Sequence, residues 1–189
     1  EDMLKLAGVQ ESDLFSAVLN TTKARFSWLA INLLTAIAAS VVIGLFEDTI
    51  ATIVALAVLM PIVASMGGNA GTQTLTVVVR ALATRELSRG NALRLIGKEL
   101  IVGLANGAAF AVVAGLMAWV WFGDPMLGGV IAAAMIVNLI SAGLFGAAIP
   151  VVLERLKVDP AIASTVILTT VTDVVGFFAF LGLAAAVLI

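Results

Sequence analysis

The feature that most constrains this chain is a succession of five long apolar stretches, at about residues 26–46, 50–82, 100–122, 126–153 and 161–189. A helix needs roughly 20 such residues to cross the hydrocarbon core of a bilayer. Each stretch is near or above that length, and the spacers (47–49, 84–98, 123–125 and 154–160) are short. The expected fold class is therefore an all-α polytopic membrane protein with five transmembrane helices per protomer. Composition points the same way: 62% of the chain is hydrophobic and 12% charged, against roughly half and a quarter in soluble domains. Cysteine and histidine are absent, which excludes disulfides, thiol nucleophiles, imidazole bases and zinc sites with Cys or His ligands. An intramembrane enzyme would usually need a second acid, a base or a nucleophile close to its acid. None is apparent, so no enzymatic activity is expected, and no nucleic-acid partner.

Positive charge sets the expected orientation. Lys5, Lys23 and Arg25 precede the first stretch; Arg80, Arg85, Arg89, Arg94 and Lys98 lie between the second and third; Arg155 and Lys157 lie between the fourth and fifth. In a five-span topology all ten fall on one side, and the opposite loops carry only Glu47, Asp48 and Asp124. The positive-inside rule makes the N-terminus cytoplasmic and the C-terminus external. Trp28, Trp119 and Trp121 stand at span ends, where indole rings anchor at the interface.

Ahead of the first span, Leu14, Phe15, Val18 and Leu19 repeat at helical spacing behind Ser12, a reasonable N-cap. Residues 12–25 are expected to form an amphipathic interfacial helix, compatible with the surface helix of an upstream soluble domain. The chain divides into residues 1–24, which hold this interfacial helix, and residues 25–189, the membrane domain. With no initiator Met and no signal-peptide pattern at Glu1, the chain is expected to be a piece of a longer protein.

Two polar features sit inside the spans. Asp173 is an acid in the middle of the fifth, where a charge costs about 2.5–3.5 kcal/mol on insertion scales. Such a group normally faces a water-filled path or a partner, and no Lys or Arg lies at its depth. Thr165, Thr169, Thr172, Asp173 and Gly176 share one helix face. That stripe of oxygens would suit a hard cation, or its hydroxyls bond to carbonyls of their own helix. The second feature is the run Met66-Gly67-Gly68-Asn69-Ala70-Gly71-Thr72-Gln73-Thr74. Its polar groups should not face lipid; the glycines permit either local unwinding that lines a path or close helix packing. One acid per chain gives a cation a single negative charge. A homodimer with its two-fold axis along the membrane normal would bring two copies of Asp173 together, as a divalent cation requires.

That run, followed by Val79-Arg80-Ala81-Leu82-Ala83-Thr84, resembles the signature of the MgtE family of magnesium channels and transporters. Val158-Asp159-Pro160-Ala161 and Thr172-Asp173-Val174-Val175-Gly176 extend the resemblance over almost the whole chain. It implies a homodimeric pore lined chiefly by the second and fifth spans, conducting hydrated Mg²⁺ into the cytoplasm. Asp173 would bind the ion with the backbone carbonyl of Thr169, and Thr165 would belong to a further site. Gly67, Gly68, Asn69, Gly71, Thr72, Gln73, Thr172 and Gly176 would line the pore. Mn²⁺, Co²⁺ or Ca²⁺ could occupy the same site. The resemblance also implies upstream cytosolic Mg²⁺-sensing N and CBS domains, with residues 1–24 including the end of the cytoplasmic helix that links them to the membrane, regulatory metal ligands at Glu1 and Asp2, and a multi-pass place in the inner membrane of a prokaryote. Two other readings stay open: an ion-coupled secondary transporter of divalent cations with Asp173 as the titrating group, and a non-transporting membrane scaffold.

Overall fold

A computed structural model describes residues 17–87 and 90–189, and among these residues it contains helices and no strand. The elements are α1 (Val18–Gly44), α2 (Glu47–Thr52), α3 (Ala55–Ala83), α4 (Ala92–Phe122), α5 (Pro125–Arg155) and α6 (Pro160–Val187). All but the short α2 are long and apolar enough to cross a membrane, so the five expected spans are present. Glu1, Asp2 and the expected cap at Ser12 lie outside the described residues. From Val18 onward the interfacial segment is no separate helix: α1 runs unbroken into the first span.

Helix ends are set by local chemistry. After α4, Gly123 takes φ 72°, and its N–H donates to the Trp119 carbonyl at 2.8 Å. Glycine adopts this left-handed conformation without steric cost. Asp124 then caps α5, accepting hydrogen bonds from the N–H groups of Met126 (2.8 Å) and Leu127 (3.3 Å). Pro125, with no N–H to satisfy, fills the first turn. The same device starts α6, where Asp159 accepts from the Ala161 N–H at 2.9 Å and Pro160 follows it.

Packing contacts give the helix directions. Gly115 meets Gly128, and Gly103 meets Leu139, so α4 and α5 are antiparallel. Val63 pairs with Asn138 and Gly71 with Gly146, so α3 and α5 run parallel. Phe46 and Phe178 meet edge-on at 5.8 Å, placing the C-terminal end of α1 against the second half of α6. The spans alternate, and every basic residue described sits at one end of the bundle. α5 is the central helix. Its Leu127, Ile131, Met135 and Leu139 join Leu56, Leu59 and Val63 of α3, Ala114 and Ala118 of α4, and Phe180 and Leu181 of α6 in one core. α1 is peripheral; Phe26, Leu29, Leu33, Leu34 and Val41 are all exposed. Glycines set the α4–α5 spacing: a methyl group at Gly103 would lie 2.6 Å from the Leu139 carbonyl oxygen, and one at Gly143 2.5 Å from that of Glu99.

Candidate ion site and the seam behind it

Asp173 lies on α6, 13 residues after Pro160, so about 20 Å along the helix from its basic end. Its side chain is partly buried, and among the described residues it has no hydrogen-bond or ion-pair partner. The threonines around it behave less uniformly than their spacing suggests. Thr169 donates to the carbonyls of Thr165 (3.0 Å) and Val166 (3.1 Å). Thr172 is fully buried and donates to the Thr169 carbonyl at 3.1 Å; Thr170 donates to that of Val166 at 2.7 Å. These hydroxyls satisfy themselves within their own helix, a common solution in apolar surroundings. Thr165 differs: its Oγ1 is buried and, among the described residues, has no hydrogen-bond partner, as is true of Ser164 Oγ.

The polar run of α3 divides between two faces. The helix does not unwind there; it is continuous from Ala55 to Ala83, with Pro61 inside it. Ser65, Asn69, Thr72 and Thr76 are exposed along one face, with Arg80 at its basic end. Space lies open beside Gly68. Gln73 is exposed at the edge of this stripe. Gly67 and Gly71 instead face inward, Gly71 against the side chain of Leu168. Gly176 of α6 is also buried. Of the expected pore-lining residues, Gly68, Asn69, Thr72 and Gln73 therefore lie on open surface, while Gly67, Gly71, Thr172 and Gly176 are enclosed by helices of the same protomer.

Two of the enclosed glycines, Gly67 and Gly176, have a common reason. Asn138 of α5 is fully buried, and its Nδ2 donates to the Val63 carbonyl at 2.7 Å. A methyl group at Gly67 would collide with this amide, and one at Gly176 would lie 2.8 Å from it. Only glycine admits the amide from both sides. Asn138 thus joins α3 and α6 less than one turn beyond Asp173. Sequence reasoning overlooked it, although a lone amide in an otherwise apolar span was a visible signal. Glu99 was overlooked as well. It lies inside α4, which begins at Ala92 and not near residue 100, and it is 8% exposed. Asp173 is therefore not the single acid within the spans.

The fold and site define a class: a polytopic helical membrane protein with an intramembrane carboxylate on α6 that no described residue pairs and an exposed polar face on α3. Comparison narrows it. The profile of the MgtE family, described as a divalent cation transporter, matches residues 60–183. The magnesium transporter MgtE of Bacillus subtilis is 38% identical over 162 residues, 86% of this chain and 36% of the relative. That of Thermus thermophilus is 35% identical over 193 aligned positions, 100% of this chain and 42% of the relative. That of Enterococcus faecalis is 32% identical over 184, 97% of this chain and 41% of the relative. This chain belongs to the MgtE family. It spans about two fifths of the length of the curated relatives it matches.

Proposed function

We propose that this chain is the membrane-pore part of a magnesium transporter, passing hydrated Mg²⁺ toward the cytoplasm between two copies of itself. The observation that carries the reading is the Asp173 carboxylate, lodged deep in α6 with no partner among the described residues. A carboxylate is costly at that depth, and a passing cation offsets the cost. Family membership supplies the cargo, since the relatives above are magnesium transporters.

Mg²⁺ releases its waters reluctantly and usually touches one or two carboxylates through a retained hydration shell. Two copies of Asp173, one from each protomer, match the dication's charge. The open stripe Ser65, Asn69, Thr72 and Thr76 supplies a wall that water can wet. With the basic end cytoplasmic, as the positive-inside rule requires, the Asp173 pair stands beyond the midplane, where ions arriving from outside meet it early. A site holding the ion through water lets it leave quickly enough for conduction.

The test is Mg²⁺ uptake into proteoliposomes, wild type beside Asp173→Asn and Asp173→Ala. Both variants should assemble normally and lose most divalent flux. Uptake should follow voltage and Mg²⁺ concentration without needing a Na⁺ or proton gradient. Normal, Mg²⁺-selective uptake by Asp173→Ala would refute the assignment, and gradient-dependent uptake would make the protein a coupled transporter.

A further inference from the structure

A second buried carboxylate stands apart from Asp173, among α3, α4 and α5. Glu99 is 8% exposed and, at seven residues past Ala92, about 10 Å into α4. Its Oε2 accepts a hydrogen bond from Thr74 Oγ1 at 2.9 Å, and Thr74 is itself buried. Among the described residues nothing else bonds to its side chain, and Arg80, Arg94 and Lys98 do not pair with it. The carboxylate forms part of the lining of a cavity of about 140 Å³, with room for several waters. Two amide side chains, Gln73 and Asn106, also line the cavity and are exposed at its mouth. Amides at this depth are poor lipid neighbours, so the mouth is wet or covered by protein.

We propose that the Glu99 cavity is a binding site for a monovalent metal cation of the sodium class, separate from the Asp173 path. The donor set decides the charge class. One carboxylate balances one positive charge; a dication there would leave a net charge buried within the membrane. The neutral donors are all oxygens, the amide carbonyls of Gln73 and Asn106 and the lone pairs of Thr74, which suits a hard cation and no soft one. A hydrogen bond from Thr74 to Oε2 leaves the other carboxylate oxygen free for the ion. This assignment does not rest on the Mg²⁺ pathway: Glu99, Thr74 and Asn106 lie outside it, and only Gln73 sits at the edge of the α3 stripe.

The experiment is ²²Na⁺ binding to the protein in lipid nanodiscs, with N-methyl-D-glucamine chloride holding ionic strength constant. Wild type should bind the label saturably, displaced by unlabelled Na⁺. Glu99→Gln keeps an acceptor for Thr74 and should lower the affinity by about tenfold or more. Asn106→Leu, at the exposed mouth, should weaken binding without disturbing the interior. Asp173→Asn should bind the label as wild type does, whatever it does to Mg²⁺ flux. The proposal is overturned by an absence of saturable binding in wild type, by undiminished binding in both Glu99→Gln and Asn106→Leu, or by its loss in Asp173→Asn.

Discussion

Helices α3 and α4 are of nearly equal length, 29 and 31 residues, and both approach α5 through glycines, yet their outward faces differ in kind. α4 exposes Ile101, Leu104, Val112, Val113, Leu116 and Val120. α3 shows Ser65, Asn69, Thr72 and Thr76. Thr72 and Thr76 donate to carbonyls four residues back, and the Asn69 amide to Ser65 Oγ at 3.3 Å, yet all four side chains remain open. Lipid solvates the first surface and not the second. The difference separates a helix whose task is to support α5 from one whose outer face must meet water or a second protomer.

The inner seams differ too, and substitutions there should have the largest effects. At Gly103 a new methyl group meets the Leu139 backbone oxygen at 2.6 Å, which cannot move without shifting a helix. Gly103→Ala should cost about 2–3 kcal/mol, the upper range for overpacking, read as a lowered melting temperature in detergent. At Gly67 the obstacle is the Asn138 side chain, so Gly67→Ala should cost about 1–2 kcal/mol. It should couple to Asn138: Gly67→Ala combined with Asn138→Ser should be less destabilised than the two single changes sum to. Strict additivity would mean that the amide does not set this seam. Leu104→Ala, on the outward face of α4, should change stability by about 0.5 kcal/mol or less and leave Mg²⁺ uptake unchanged. A clear loss of uptake would show that α4, too, borders the path.

The span count and the deep, unpaired position of Asp173 were legible in the sequence because both rest on length and charge, which need no tertiary partner to be read. The α3 glycines were legible only as a choice between unwinding and packing. Packing holds for both Gly67 and Gly71, because the groups they accommodate, Asn138 and Leu168, lie on other helices about 70 and 100 residues away. Threonine spacing marked a shared face on α6 but not which hydroxyls were already satisfied by their own backbone. Glu99 was missed because α4 extends from its apolar stretch into a charged segment, so the helix start cannot be placed by hydropathy.

The central claim is that the polar face of α3 borders a water-filled route past Asp173. Because the chain has no cysteine, single cysteines can be introduced without background. Membrane-embedded protein carrying Asn69→Cys, Thr72→Cys, Leu104→Cys or Val112→Cys would be treated with a charged, water-soluble methanethiosulfonate. Modification of the two α3 positions, slowed by Mg²⁺ in a manner that needs Asp173, with neither α4 position reacting, is the predicted result. Equal reactivity on both helices, or none on α3, would contradict it.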